Sequence, residues 1–275
     1  LTLQNLKFQN LQTRDGLSNS QVDAIFKDNH GFMWFGTQSG LDRFDGFRFK
    51  NFFSDASDKN SLPANEVDDI QQDVSGNLWV HTSAGYCIYN YERETFSSNI
   101  NGWMFNHGMT WGNPDKVLID KQGNLWFDIF GKGCGFYNSH TGKSCFFEQS
   151  LHGKNTIPKG IVNDIVKVNN TVVLIYQTGV MVRIDGIHHR IIWVNRYPSS
   201  HFKQTGHYKL FVDSRYNYWL IADDASYVYS SRLKKWFIGC CSFLQAMGVH
   251  IGDKNILIKD IKDNRNGYIW IATDH

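Results

Sequence analysis

The chain has 275 residues, 41% hydrophobic and 15% aromatic, which is enough apolar surface for a large core and excludes a disordered or disulfide-only protein. Its 28 Lys and Arg stand against 26 Asp and Glu, a formal charge of +2 with the signs mixed along the sequence, so no basic stripe exists to track a phosphate backbone and no nucleic acid partner is expected. Apolar runs reach only a few residues, far short of the roughly 20 that a membrane-spanning helix needs, and residues 1–11 show neither a basic start nor a small-residue cleavage site.

The predicted elements repeat in chain order. The first unit opens with the alternating run Val22 to Lys27, which stops at Asp28 with Gly31 three residues later; Asp bonds its own backbone two residues on and Gly supplies positive φ, so this is a hairpin turn. A second strand from Phe32 to Thr37 carries Trp34, and Gln38 to Gly40 form a small-residue turn. The third strand ends on Phe44 before Asp45, and an aromatic fourth strand runs from Phe47 to Phe53.

The second unit repeats the pattern with Asp73, Gly76 and Trp79, and the third with Asp120, Gly123 and Trp126. In the fourth unit Val168, Thr171 and Leu174 keep only the register. Asp213, Tyr216 and Trp219 keep the ends of the pattern in the fifth unit and lose the glycine, while Asn264, Gly267 and Trp270 restore it in the sixth. The anchors at 34, 79, 126, 174, 219 and 270 are spaced by 45, 47, 48, 45 and 51 residues.

No stretch sustains an apolar period of 3.6 over three turns, so no substantial helix is expected and the class is all-β. A four-stranded meander cannot bury both faces alone, whereas stacked radially each sheet covers its neighbour; the expected fold is a β-propeller. One incomplete propeller domain, 1–275, is expected, with blades near 17–53, 62–98, 109–148, 157–194, 205–238 and a partial blade 255–275. Trp34, Trp79, Trp126, Trp219 and Trp270 should fill the gaps between twisted blades, with Gly31, Gly76, Gly123 and Gly267 as turn glycines. A strand around Leu6 to Leu11 is expected to belong to the ring's last blade.

From Gly16 to Phe53 the chain resembles the two-component regulator propeller repeat of bacterial sensor proteins. The likeness is carried by Asp15-Gly16-Leu17-Ser18-Asn19 leading into Val22, by Asp28 to Trp34, and by Gly36-Thr37, Gly40-Leu41 and Phe44-Asp45-Gly46 before Phe49. Degenerate copies cover essentially the whole chain. The resemblance implies the periplasmic sensor region of a Bacteroides-type hybrid two-component system: two successive seven-bladed propellers, a small β-sandwich, one membrane span, and cytoplasmic histidine kinase and response-regulator modules. This chain would be the N-terminal propeller, holding about five and a half of seven blades. The implied partners are an oligosaccharide, the second propeller and β-sandwich domain of the same polypeptide, and a second receptor copy in a homodimer.

No enzymatic role is expected for this domain. Acid pairs such as Asp68-Asp69 and Asp223-Asp224 read as solvated turn or strand-end charges, since adjacent strand residues point to opposite faces. His188, His189, His201 and His207 lack metal-ligand spacing. The five cysteines, 87, 134, 145, 240 and 241, lack the C-x-x-C spacing of a zinc or redox site and read as core residues. No cofactor is expected.

Ligand contact is expected on the face made by the segments leading into each first strand and the turns between second and third strands. Trp103 and Trp111, which fit neither the anchor nor a fourth strand, are candidates for stacking on a sugar ring. Asn113 and Asp223 are candidates for bonding hydroxyls, and Lys132 for a sulfate or uronate. A non-catalytic scaffold for protein interaction at the cell surface is the alternative, and a carbohydrate-active propeller enzyme a more distant one.

Overall fold

The computed structural model describes residues 10–150, 156–196, 207–249, 256–263 and 269–273. Strands dominate, arranged as five four-stranded sheets and one two-stranded sheet. The first sheet holds β1 (Val22–Lys27), β2 (Met33–Thr37), β3 (Gly40–Phe44) and β4 (Phe49–Phe52), and the second β5 (Val67–Gln72), β6 (Leu78–Thr82), β7 (Gly85–Asn90) and β8 (Thr95–Ser97). After helix α1 (Ile100–Asn106) the third sheet holds β9 (Lys116–Ile119), β10 (Leu125–Ile129), β11 (Gly133–Tyr137) and β12 (Ser144–Glu148). The fourth comprises β13 (Val162–Val168), β14 (Thr171–Tyr176), β15 (Val180–Asp185) and β16 (Arg190–Arg196). The fifth comprises β17 (Tyr208–Val212), β18 (Tyr218–Ala222), β19 (Ser226–Ser230) and β20 (Lys235–Ile238); helix α2 (Cys240–Ala246) and the pair β21 (Ile258–Asp263) and β22 (Ile269–Thr273) follow.

Two compact units divide the chain, one formed by 1–125 with 138–144 and the other by 126–137 with 145–275. Every sheet is a meander of chain-consecutive strands. Second strands carry the core: all five residues of β10 and all six of β14 are buried, which their near-continuous apolar runs require of a strand covered on both faces. First strands alternate instead, as β1 does between half-buried and exposed residues.

The Asp-x-x-Gly-x-x-Trp spacing has a direct physical cause. Asp28 Oδ1 accepts the backbone N–H groups of His30 and Phe32, both at 2.9 Å, while Oδ2 accepts the indole Nε1–H of Trp34 at 2.7 Å. Asp73 binds Ser75, Asn77 and Trp79 in the same way, and Asp213 binds Arg215, Asn217 and Trp219. One carboxylate thus closes the hairpin and satisfies the anchor's buried N–H, which fixes the separation between them. Asp120 keeps the two backbone bonds, to Gln122 and Asn124, but Trp126 Nε1 has no hydrogen-bond partner among the described residues.

The third turn residue is left-handed in all four copies, at φ 91° for Gly31, 86° for Gly76, 77° for Gly123 and 61° for Tyr216. Loss of the glycine in the fifth unit therefore left the backbone unchanged and put a tyrosine where an L-residue costs roughly 1–2 kcal/mol. The fourth unit abandons the device: β13 and β14 are joined by Asn169 and Asn170 alone, with Asn169 at φ 55°, and Leu174 occupies the anchor site fully buried.

Trp34, Trp79, Trp126 and Trp219 are completely buried, as the repeat predicts. Trp34 lies against Phe52 of its own blade and Tyr89 and Tyr91 of the next, with ring centroids 5.8, 5.0 and 6.3 Å away. Trp270 departs from the expectation and is 68% exposed. Its strand β22 pairs with β21 alone among the described residues, so no third strand stands beside the indole to cover it. Gly267, Asn264, His201 and most of the expected strand around Leu6 to Leu11 lie outside the described residues.

Two seven-residue helices were not anticipated. Both are too short to show three apolar turns, and both act as packing wedges. Trp103 of α1 meets Trp79 edge-on at 4.8 Å, and Phe243 of α2 meets Trp219 edge-on at 5.1 Å. Cys87, Cys134 and Cys240 are buried, and Cys145 and Cys241 are half-buried.

Candidate ligand-binding face

In the first, second and fourth blades the lead-in to the first strand and the turn after the second are bonded to one another. Gln38 N–H donates to Gln21 O at 3.3 Å, Ser83 N–H to Glu66 O at 3.1 Å and Gln177 N–H to Ile161 O at 2.9 Å. Within a blade these segments form one end, and their polar side chains stand together there.

In the first blade this end is built by the residues of the Gly16-to-Phe53 motif. Asp42 is fully buried; its Oδ2 accepts both the backbone N–H and the hydroxyl of Ser18 at 2.8 Å, and its Oδ1 accepts Asn51 Nδ2 at 2.6 Å. Asn51 also donates to Gly16 O, and Asn19 donates to Ser39 Oγ at 2.7 Å. Gly16 to Asn19 are thereby held by a carboxylate in the third strand. Gly36 makes room instead of a bond, since a Cβ there would lie 2.8 Å from both Cγ1 and O of Val67, and only glycine admits the first strand of the next blade.

The first strands share a further feature. Register shifts occur between Val22 and Ala24, Val67 and Asp69, Val162 and Asp164, and Ile258 and Asp260, leaving Asp23, Asp68, Asn163 and Lys259 as the extra residues of four equivalent bulges. A bulge re-aims the side chain it carries. Asp23 is bonded by Gln38 Nε2, and Asp68 faces His81 Nδ1 at 2.5 Å.

The bulge also corrects the expectation for Asp68 and Asp69, which do not behave as two equivalent solvated charges. Burial is the largest influence on Asp68 and works against its ionisation, yet the bond and charge of His81, a backbone N–H and the charge of Lys116 together outweigh it and hold the carboxyl below its usual range. Asp69 is half-buried, and burial pushes its carboxyl up, reinforced by the charge of Asp68 and opposed by the bond from Gln71 Nε2 at 2.6 Å. Gln71 in turn bridges to the backbone of Val117 and Ile119, and Tyr86 accepts from Val117 N–H. Among the described residues no three His, Cys, Asp or Glu side chains converge to hold a metal ion.

Of the residues singled out from sequence, Trp103 is half-buried on α1, packed on Trp79 and stacked on His107 at 4.0 Å. Trp111 is half-buried, and Asn113, Lys132 and Asp223 are exposed. Trp103, Trp111 and Asn113 belong to the first compact unit, Lys132 and Asp223 to the second. Of the four bulge residues, Asp68 was expected as a strand-end charge, while Asp23, Asn163 and Lys259 belong to no motif that singles them out.

Residues 16–39, which span the first lead-in, turn and anchor, match the two component regulator propeller family. Over 58 residues the chain is 40% identical to Histidine kinase P4 of Formosa agariphila, a match covering 21% of this chain and 4% of that protein. In structure the chain is similar to the extracellular domain of BT3049 of B. thetaiotaomicron, assigned as a hybrid two component system, with TM-score 0.66 and 22% identity over 97% of this chain and 34% of that one. It is also similar to PorZ, a surface component of the type-IX secretion system of Porphyromonas gingivalis, with TM-score 0.53 and 16% identity over 91% of this chain and 37% of that one. At these identities the likeness is one of fold, and the chain spans about a third of the length of either solved relative. Among the described residues no helix is long and apolar enough to cross a membrane. Four-stranded blades, the carboxylate-locked turn and the match at residues 16–39 together identify the chain as a β-propeller carrying a two-component regulator propeller repeat.

Proposed function

We propose that this chain is the ligand-sensing propeller of a hybrid two-component system, located outside the cytoplasmic membrane, where it binds a glycan-derived oligosaccharide and signals to a histidine kinase. The observation that carries this reading is the match at residues 16–39, which falls on the structural apparatus that presents the polar loop end of the first blade. The likeness to extracellular domains assigned to two-component systems supports the location. The chemistry is that of a binding surface: hydroxyls, amides and carboxylates held by neighbours, suited to exchanging hydrogen bonds with a polyhydroxylated ligand. Signalling requires the ligand to prefer one arrangement of the receptor over another, because equal affinity for both shifts nothing.

The test is calorimetric titration of the receptor's whole extracytoplasmic region with a panel of oligosaccharides, paired with a transcriptional reporter of the kinase. Binding that is weakened by Trp111→Ala, Asn113→Ala, Lys132→Ala or Asp223→Ala would place the ligand on the loop face. Absence of binding and of reporter response across the panel would overturn the reading. The likeness to PorZ favours a second one, a non-catalytic scaffold at the cell surface, which predicts recovery of a secretion-complex component and no saccharide response.

A further inference from the structure

A groove of about 390 Å³ runs between the outer strands of the fourth and fifth blades. Trp193 and Val194 of β16 line one side, Tyr229 and Trp236 of β19 and β20 the other, and Tyr216 and Tyr218 close one end. The rings form a continuous aromatic run: Trp193 to Tyr218 at 6.2 Å, Tyr218 to Tyr229 at 6.2 Å and Tyr229 to Trp236 at 5.4 Å. Its size falls in the roughly 300–1,000 Å³ range of small-ligand sites.

Three observations point to what it holds. First, the lining contains no carboxylate, and its one charged member is Lys234, an exposed side chain at the groove's edge. Arg183 is also near enough to act on the phenol of Tyr218. Arg183 does not line the groove and its Nε donates to Thr171 Oγ1 at 2.8 Å, so the charge presented at the groove is the single positive one of Lys234. Second, the polar atoms on the lining are phenol hydroxyls, indole N–H groups, one serine and one ammonium set at the rims of flat apolar rings; the Tyr216 hydroxyl donates to Asn169 Oδ1 at 3.1 Å and the Ser231 hydroxyl to Arg215 O at 2.7 Å, so the ammonium of Lys234 is the charged donor at the edge. That combination suits a ring with apolar C–H faces and an oxyanion at its edge. Third, two of the five non-glycine residues with positive φ among the described residues, Tyr216 and Lys234, line this groove. Lys234 occupies a hairpin position that is left-handed in other blades too, as at Glu94 and His189, so its conformation belongs to the repeat. Tyr216 is different, because it stands where three other blades place glycine. Its strained backbone carries the ring to the end of the groove, where the hydroxyl donates to Asn169 Oδ1 in the turn of the fourth blade and fixes that wall.

We propose that this groove binds an acidic sugar, a uronate or sulfated ring stacked between Trp193 and Trp236 with its anion on Lys234. The proposal rests on the reading of the chain as a saccharide sensor and adds a site and a charge class to it.

The experiment is titration of the intact protein with a glucuronate-containing disaccharide, with cellobiose as the neutral counterpart and with a proline-rich decapeptide, read by calorimetry and tryptophan fluorescence. The acidic disaccharide is expected to bind and cellobiose to bind at least about 10-fold more weakly. Lys234→Gln, a surface change that leaves the fold intact, should weaken the acidic ligand about 10-fold or more, the usual loss for a charge-assisted bond, and leave any cellobiose binding unchanged. Trp193→Ala and Trp236→Ala should each weaken it by a similar factor. Wild-type affinity in Lys234→Gln and both tryptophan variants would overturn the groove assignment and leave the sensor reading standing. Binding of the decapeptide or cellobiose in preference to the acidic disaccharide would overturn the charge class. No binding of any saccharide, here or in the oligosaccharide panel, would overturn the sensor reading as well.

Discussion

The carboxylate at the head of each repeat supports a quantitative prediction at Asp28. Its Oδ2 accepts two buried or half-buried donors, Trp34 Nε1–H at 2.7 Å and Tyr91 O–H at 2.9 Å, while Oδ1 holds the turn. In Asp28→Asn one oxygen can still serve the two backbone donors, but the amide nitrogen must then face the indole N–H. Tyr91 can rotate its hydroxyl to accept from the new amide; the indole cannot, and it sits at zero exposure. An unsatisfied buried N–H costs about 1–3 kcal/mol, and loss of a charged acceptor brings the sum to about 2–4 kcal/mol. Trp34→Phe removes the indole N–H, so the same Asn substitution in that background should cost about 1–2 kcal/mol less. The assay is urea unfolding followed by far-UV circular dichroism on the wild type, both single variants and the double variant. Asp120→Asn provides the contrast, because Trp126 Nε1 makes no such bond, and should cost less than Asp28→Asn. Additivity of Asp28→Asn and Trp34→Phe within about 0.5 kcal/mol would refute the assignment of the carboxylate as the anchor's acceptor.

Gly31→Ala should cost about 1–2 kcal/mol by the same assay although its Cβ would meet nothing within 4 Å, because the penalty is backbone strain at φ 91°; Gly31→Asn should cost less. Trp103→Ala should destabilise by about 2–4 kcal/mol through exposure of Trp79, a loss seen in thermal unfolding with no ligand present. Asp69 gives a pH signature. Its folded carboxyl lies above the unfolded value of 3.8, so the folded state binds the proton more tightly, and stability falls as pH rises from the unfolded value through the folded one. Asp69→Asn removes that slope, so its melting temperature relative to wild type should be more favourable at pH 7 than at pH 3.5; an offset independent of pH would count against a desolvated carboxyl at this position.

Much of the fold was legible because its stabilising device is written in spaced residues. Asp, Gly and Trp at three-residue intervals mark the turn, its left-handed residue and the buried anchor, and these three roles need those residue types. Where one role is carried by a different residue, as Tyr216 does for glycine or Leu174 for tryptophan, spacing alone kept the register visible. Trp270 shows the limit of that reasoning: the motif specifies a hairpin with an indole on its second strand, and burial of the indole depends on strands that the motif does not encode. The candidate site was less legible for a similar reason. Asp23 and Asp68 owe their placement to bulges, and the groove at Trp193 and Trp236 is assembled from outer strands of two blades whose aromatics read, one blade at a time, as ordinary strand residues.

Trp103 illustrates how repetition at a longer period separates packing from binding. Read within one repeat it has no counterpart, and an unpaired tryptophan in an irregular stretch suggests a ligand platform. Three blades on, the same register returns: Trp79 and Trp219 are 140 residues apart, and so are Trp103 and Phe243, Ile100 and Cys240, and the left-handed Gly108 and Gly248. In both places a seven-residue helix follows a fourth strand and sets an aromatic ring edge-on against the anchor tryptophan. The first anchor needs no such helix, since Tyr89 and Tyr91 of the following blade reach Trp34 directly. The helices occur in the two longest connections between described strands, 98–115 and 239–257. An aromatic ring that recurs in register with a buried partner is explained by that partner. By this criterion the place of Trp103 is explained by its contact with Trp79, whereas Tyr216, which breaks register with the glycines of its own turn, reaches across to the turn of the fourth blade, its hydroxyl donating to Asn169 Oδ1 at 3.1 Å.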